Sequence, residues 1–185
     1  MSGPVGRYRD RVTKRQGILA RVVNFFSPAR PTAPSTTAPT PDTPGRVGST
    51  ATIEIAPPGP AGLKITYEPK TDADPDAGEI VWTWVPYTEN DGRGKDRPVL
   101  VIGRQDAQRV YAVRLTSKPH EGDHDFLALG TGAWDSRGRP SWVDIEQLYS
   151  VHGAGMRREA SALDLKRFVK IADALHRRYG WAVGN

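Results

Sequence analysis

The clearest pattern in the sequence is a series of short apolar runs that begins near residue 77 and is punctuated by glycine and proline. The runs are rich in β-branched and aromatic residues, which favour strands. In the third run, alternation predicts Val110 and Ala112 on one face, together with Arg114, and Val113 and Leu115 on the other. The predicted strands are Glu79–Val85, Arg97–Gly103, Arg109–Ser117, Phe126–Leu129 and Ser141–Ile145, with a short strand or turn at Leu148–Val151.

The end of the chain has helical periodicity instead. A helix is predicted from about Leu163 to Tyr179, with Ser161 or Asp164 as its N-cap and Gly180 as a left-handed C-cap. Short strands followed by one closing helix predict a mainly β fold, a small barrel in which the helix covers an open end or flank. The predicted apolar face of the helix comprises Leu165, Phe168, Val169, Ala172, Leu175 and Tyr179.

The first 26 residues combine basic side chains with apolar ones. Apolar residues between Tyr8 and Phe26 recur at helical spacing, and Ser27 and Pro28 end the pattern. No small-residue cleavage pattern follows, so a secretory signal is not indicated. Two interpretations remain: a basic surface helix that contacts a membrane or nucleic acid, or a solvated tail that orders only on a partner. The second is favoured.

Residues 27–60 are dominated by proline, threonine, alanine, serine and glycine, a composition that predicts a disordered linker. Residues 61–76 are predicted to be a connector, in which Leu63–Tyr67 alternates like a short edge strand. Its aspartates, at positions 72, 74 and 76, are expected to be solvated rather than to bind a metal. The folded barrel domain is therefore predicted to occupy residues 77–182.

The amino-acid composition limits the kinds of reaction and binding site that the chain can support. The chain has 185 residues and no cysteine, which excludes disulfides, thiolate zinc sites and cysteine nucleophiles. Its formal net charge is +5, and its sequence pI is about 9.6. Such a balance permits binding to a polyanion such as nucleic acid. No apolar run is long enough to span a bilayer.

Three motifs, in this order and spacing, resemble the MazF/PemK family of bacterial toxins. They are Gly78–Trp82, Arg97–Ile102 and Val113–Ser117, and the final apolar helix is also where the family has one. A single Arg-Pro-Val would be a weak signal, but the ordered set is fairly specific. The resemblance covers about the last hundred residues.

The resemblance implies an SH3-like barrel, usually a homodimer, that is the toxin of a type II toxin-antitoxin system. Such toxins act in the cytoplasm and cleave single-stranded RNA, including mRNA, without a metal or other cofactor. A partner antitoxin silences them, and operator DNA is a further expected partner of that complex. The catalytic arginine falls on Arg97 and the catalytic hydroxyl on Thr116, with Ser117 as a neighbour that can share the role. The gating loop corresponds to residues 87–96.

Cleavage of RNA through its 2′-hydroxyl needs a positioned nucleophile, a proton acceptor, and positive charge where the phosphorane oxyanions develop. Arg97 can supply the charge, because its planar donors match phosphate oxygens. Thr116 can hydrogen bond the same phosphate or orient the attacking hydroxyl. An arginine is a poor proton acceptor at neutral pH, so the identity of the acceptor stays open.

The other candidate side chains fall into two groups. Charged residues that can line the same surface include Glu79, although each is also compatible with an ordinary solvated position. Among the tryptophans, Trp82 and Trp84 share a strand face, so at least one is expected in the core, which leaves Trp134 as the candidate for stacking on unpaired bases. The candidates for substrate binding are Arg93, Lys95, Arg114, His120 and Trp134.

His120 and His124 lie in a polar loop directly after Thr116. The loop is expected to be an exposed connector, with His120 close enough in sequence to reach the rim of the site. A second functional interpretation, of a different class, is a barrel without catalytic activity that binds DNA, RNA or a protein partner.

Overall fold

The computed structural model of the protein describes residues 43–70, 74–89 and 91–184. The predicted amphipathic segment 8–26 and the first part of the predicted linker lie outside these residues. The described part of the chain contains one α-helix and ten strands, and that helix is not long and apolar enough to cross a membrane. The elements are β1 (Ile53–Ile55), β2 (Lys64–Ile65), β3 (Glu79–Pro86), β4 (Gly94–Arg104), β5 (Arg109–Thr116), β6 (Phe126–Gly130), β7 (Ser141–Asp144), β8 (Leu148–His152), β9 (Met156–Ala162), α1 (Leu165–Tyr179) and β10 (Ala182–Val183).

Eight of these strands form one antiparallel sheet in the order β1-β8-β5-β4-β3-β9, with β7 paired to β5 and β6 paired to β7. The sheet curls. Thr83 of β3 donates a hydrogen bond to the Gly155 carbonyl at 2.8 Å, and the Thr52 hydroxyl lies 2.7 Å from the Thr83 hydroxyl. Since three strands separate β1 from β3 in the sheet, this buried contact closes the curl into a half-barrel. The predicted mainly β fold with a closing helix is confirmed.

Alternate side chains of the strands pack on opposite faces of the sheet. The inner cluster lies inside the curl, and the outer cluster packs against α1. In β5, Val110 and Ala112 belong to the inner cluster and Val113 and Leu115 to the outer one, as predicted. The inner cluster also contains Ala77, Val81, Val85, Val99, Val101, Tyr149 and Val151, and the outer cluster includes Ile80, Leu100, Ile102, Trp134, Phe168, Ile171, Leu175 and Trp181.

The ends of α1 follow the sequence prediction. The Arg167 amide donates to the Asp164 carboxylate at 3.0 Å, and Gly180 adopts the left-handed conformation with φ of 73°. The predicted apolar face is partly wrong, because Leu165 and Val169 are exposed. The buried ridge runs through Phe168, Ile171, Ala172 and Leu175, with Ala174 beside it.

The predicted linker ends earlier than expected, since residues 43–60 pack on the sheet. A 3-10 turn at Gly48–Thr50 leads into β1, which pairs with β8. The Arg109 guanidinium donates to the carbonyls of Ser49 and Ala51 at 2.8 and 3.1 Å. Farther along, Trp181 donates to the Pro58 carbonyl at 3.0 Å. These partners are distant in sequence, so local composition carried no sign of them.

The connector prediction also needs correction. Only Lys64 and Ile65 of the expected edge strand are extended, and they pair in parallel with β10 rather than with the main sheet. Asp76 is 9% exposed and lies 3.6 Å from Arg104, so it is not a solvated residue. Its amide donates to the Glu79 carboxylate at 3.3 Å, and Glu79 is itself buried. Asp72 lies outside the described residues.

Strand β9 was missed entirely by the sequence analysis. Its sequence has no alternation of apolar and polar residues, and its pairing with β3 decides its conformation. The pairing shifts register between Ile80 and Trp82, which marks an irregularity in the ladder.

We expect Asp164→Ala to lower the free energy of unfolding by about 1 kcal/mol, because the first turn of α1 loses its capping acceptor. Urea denaturation followed by circular dichroism measures the change. Asp173→Ala, which removes an exposed carboxylate in the middle of the same helix, is the matched control and leaves stability nearly unchanged. Equal stability of the two variants would contradict the capping role.

Candidate active site

Arg97 lies on the inner face of β4, opposite Thr83 of β3. Its side chain is partly buried, and its Nε atom is fully buried with no hydrogen-bond partner among the described residues. Burial lowers the pKa of the Arg97 guanidinium, and the nearby positive charge of Arg114 lowers it further. A buried donor without an acceptor is costly, so this geometry favours binding of an anion.

Arg114 of β5 is held by an ion pair. Its Nε and Nη2 atoms lie 2.8 and 2.7 Å from the same oxygen of the buried Asp144 carboxylate. The other oxygen of Asp144 accepts the amides of Glu146 and Gln147 at 2.9 and 3.2 Å. The turn between β7 and β8 therefore fixes Asp144, and Asp144 fixes Arg114.

Tyr149 is the common neighbour of the charged groups on this part of the inner face. In the ladders it stands opposite Ala112 of β5 and Glu54 of β1. Burial raises the pKa of the Tyr149 phenol. The positive charge of Arg114 lowers this pKa, the negative charges of Glu54 and Asp144 raise it further, and the positive charge of Arg97 lowers it. The phenol donates a hydrogen bond to the Gln147 side chain at 3.0 Å.

Thr116, the predicted catalytic hydroxyl, ends β5. The ladder between β4 and β5 ends at the pair of Val99 and Arg114, and two residues farther along the two strands come Arg97 and Thr116. The register therefore brings the two predicted catalytic residues to the same edge of the sheet. The Thr116 hydroxyl accepts the Lys118 amide at 3.1 Å, and Ser117 is exposed just beyond the strand.

Two predicted basic contacts lie on the hairpin between β3 and β4. Lys95 is exposed and precedes Arg97 by two residues, on the same face of β4. Arg93 is exposed and forms an ion pair with Asp91, with 2.6 Å between Nε and Oδ2. Lys95 thus extends the cationic face, and Arg93 is already paired within its own loop.

The prediction that Trp134 stacks on bases is wrong. Trp134 is only 4% exposed, belongs to the outer cluster, and donates from Nε1 to the Ser141 hydroxyl at 3.1 Å. The glycine-rich loop that carries it folds back onto the outer face, on the other side of the sheet from Arg97. Among the strand tryptophans, Trp84 is buried and Trp82 partly buried, in agreement with the expectation that at least one is in the core.

His120 packs within its own loop. Its ring stacks on Phe126 with centroids 3.5 Å apart, and its Nδ1 lies 3.3 Å from the Asp123 carboxylate. His124 is exposed. In the described ranges, no group of three or more histidine, aspartate or glutamate side chains is arranged to hold a metal ion.

Sequence analysis missed three residues of this site: Glu54, Asp144 and Tyr149. Asp144 and Tyr149 have a detectable signal, a carboxylate at the end of one predicted strand and a tyrosine within the next. Glu54 lies inside the predicted linker, where composition gave no signal. It also borders a cleft of about 230 Å³ whose lining includes Arg46, Thr52, Trp84 and Arg93.

The curled sheet, its closing helix and the arginines on its inner face define a small, mainly β fold of the half-barrel class. A family model described as PemK-like, MazF-like toxin of type II toxin-antitoxin system matches residues 76–178. This match covers more than half of the 185 residues, and the chain belongs to that toxin family.

Solved structures with a similar fold include MazF from Deinococcus radiodurans, at 23% sequence identity and a TM-score of 0.44, covering 59% of this chain and 99% of that one. MazE-MazF from the same organism matches at 22% identity and a TM-score of 0.43, covering 59% and 98%. An endoribonuclease from a mycobacterial species matches at 16% identity and a TM-score of 0.42, covering 57% and 92%. A comparison with curated proteins found no match.

We expect Asp144→Asn to lower the free energy of unfolding by about 3 kcal/mol, because Arg114 keeps its charge in a largely buried position without a counter-ion. Denaturant unfolding measures the loss. Asp91→Asn breaks an exposed aspartate–arginine pair and serves as the matched control, with stability close to wild type. An Asp144→Asn variant as stable as wild type would refute the anchoring role.

Proposed function

We propose that this protein is the toxin of a type II toxin-antitoxin pair and a cytoplasmic endoribonuclease that cleaves single-stranded RNA. In the proposed reaction the 2′-hydroxyl attacks the adjacent phosphorus, leaving a 2′,3′-cyclic phosphate and a 5′-hydroxyl. The observation that carries the proposal is the unpartnered, buried Nε of Arg97 at the cationic edge of the half-barrel. A phosphate oxygen is the acceptor that this donor lacks.

The two arginines are suited to different tasks. Asp144 forms an ion pair with Arg114 and holds it in place, so Arg114 can position a phosphate while the pair as a whole carries no net charge. Arg97 makes no ion pair in the described structure, and its charge is available to the oxyanion that develops on phosphorus. Low local dielectric strengthens that interaction, because Arg97 is partly buried.

Thr116 contributes the hydroxyl of the site in this proposal. Its side chain is partly buried near Arg97, and an oxygen that accepts the Lys118 amide can still donate its own proton to a phosphate. Ser117 lies beyond the strand and is more exposed, which favours Thr116 for this role.

The proposal includes a homodimer, an antitoxin partner, and operator DNA bound together with the antitoxin. These parts follow from membership of the toxin family. The exposed hairpin between β3 and β4, which carries Lys95 and Arg93, is the surface that we propose for contact with RNA and with an antitoxin.

We expect Arg97→Ala to reduce the rate of RNA cleavage by about 100-fold to 1,000-fold, the cost of removing one oxyanion donor. The assay is cleavage of a long single-stranded RNA in the presence of EDTA. Arg137→Ala, which removes an exposed arginine from the loop between β6 and β7, is the control and cleaves at the wild-type rate.

Either of two results would refute the proposal of a metal-independent nuclease. One is no cleavage by the wild-type protein in EDTA, and the other is equal cleavage by wild type and Arg97→Ala. RNA or DNA binding without cleavage by wild type would instead identify a barrel that acts as a binding module. Gel-shift measurements on the same samples distinguish these outcomes.

We expect Thr116→Val to slow cleavage by roughly 10-fold to 100-fold, the rate equivalent of one hydrogen bond to a charged group. Thr116→Ser keeps the hydroxyl and retains most of the activity. Ser117→Ala tests the neighbouring hydroxyl and is expected to behave like wild type. A Ser117→Ala rate as low as that of Thr116→Val would contradict the assignment to Thr116 alone.

A further inference from the structure

Strand β1 lies upstream of the family domain at residues 76–178, yet it belongs to the same sheet. Its central residue, Glu54, pairs with Tyr149 of β8. Residues directly opposite in an antiparallel ladder share a face, so Glu54 is directed to the inner face, as is Thr52 two residues earlier. The upstream segment thus adds an exposed carboxylate to the inner face of the sheet that carries Arg97 and Arg114.

We propose that Glu54 is a catalytic residue that accepts the proton of the attacking 2′-hydroxyl. This inference rests on the endoribonuclease function proposed above. It supplies a proton acceptor, a role for which a guanidinium is poorly suited at neutral pH, and it assigns a chemical role to a segment outside the family domain.

The β1–β8 ladder places Glu54 opposite Tyr149, at an exposed position on the rim of the inner face. Partial burial of the carboxyl raises the pKa of Glu54, Arg114 acts against that rise, and Asp144 and Glu146 add to it. The phenol of Tyr149 is under the influence of Glu54 and of both arginines. Glu54 faces the buried Tyr149 across the ladder, and both arginines act electrostatically on the same phenol.

Glu54 differs from the other two carboxylates of this region in being available. Asp144 is occupied by Arg114 and by two backbone amides. Glu146 lies 4.0 Å from Arg178, on the side of α1. Within the described residues the Glu54 side chain makes no hydrogen bond or ion pair, so its carboxylate oxygens can accept a proton from a bound RNA.

A carboxylate beside a phosphate site opposes anion binding, which makes its position informative. A site designed only to bind RNA gains nothing from such a group. A general base does gain, because a carboxyl with a raised pKa is a stronger proton acceptor than an ordinary one.

The 2′-oxygen forms a bond to phosphorus while its proton passes to the Glu54 carboxylate, and the bond between phosphorus and the 5′-oxygen breaks. The departing 5′-oxygen takes a proton from water, and Glu54 then releases its proton to the hydroxide so formed. Arg97 stabilises the non-bridging oxygens throughout.

The test compares full-length wild type with Glu54→Gln on a long single-stranded RNA, in EDTA, from pH 4 to pH 9. We expect kcat at pH 7 to fall about 100-fold, as for loss of a general base. KM is expected to stay the same or fall, because a negative charge beside the phosphate is removed. The wild-type kcat decreases at acidic pH as Glu54 becomes protonated, and that acidic limb is absent in Glu54→Gln.

Two further variants make the test selective. Glu54→Asp keeps the carboxylate and is expected to recover part of the rate together with the acidic limb. Glu121→Gln, at an exposed position in the loop between β5 and β6, is the matched control and retains wild-type kinetics. Thermal unfolding of each variant checks that the fold is intact.

Each outcome decides the matter. If wild type cleaves, Arg97→Ala does not, and Glu54→Gln keeps the wild-type kcat and acidic limb, the role of Glu54 is refuted while the nuclease function stands. A slower Glu54→Gln that retains the acidic limb also refutes it, since the residue would then act only through structure. If wild type does not cleave RNA, the nuclease function and the role of Glu54 fail together.

Discussion

The second half of β4 is apolar on both faces, and this double burial is the constraint on which the rest of the structure depends. Val99 and Val101 pack in the inner cluster and Leu100 and Ile102 in the outer one, all without solvent exposure. Because side chains alternate along a strand, shifting the pairing of β4 by one residue would move the inner set of apolar side chains to the outer face and the outer set to the inner face. The charged side chains of the strand would change faces as well. The register of β4 with β3 and β5 is therefore strongly determined, and so is the face on which Arg97 and Arg114 emerge.

The same ladder creates an electrostatic problem that the fold resolves only in part. Two arginines share the inner face. Their positive charges repel each other, and each guanidinium is also partly removed from water, which disfavours its charged form. Asp144 compensates Arg114, at the cost of placing a carboxylate in a buried turn. Arg97 receives no such compensation, and a bound phosphate would supply it. A partly buried charge without a counter-ion is typical of sites that bind a ligand.

In residues 43–60, the boundary of the matched family domain differs from the boundary of the packed structure. Residues 43–60 lie before the matched domain, but Arg109 binds their carbonyls and β8 pairs with their strand. The closing contact of the half-barrel, between Thr52 and Thr83, also begins in this segment. A proline-rich composition predicted a chain unable to bury apolar surface. The segment instead pairs its backbone N–H and C=O groups with the edge of an existing sheet. Such pairing requires little apolar surface from the segment itself.

What the sequence by itself determined was local or carried by family motifs. The strands with alternating residues, the helix with Asp164 and Gly180 at its ends, and the motifs around Arg97 and Thr116 all depend on neighbours within a few positions. Tertiary structure alone decided that Trp134 is buried on the outer face, that Asp144 holds Arg114, and that Glu54 stands opposite Tyr149. Those outcomes depend on contacts between residues far apart in the chain. Glu54 meets Tyr149 only because β1 finds the free edge of β8, and no local pattern of apolar and polar residues encodes which edge a short strand will join.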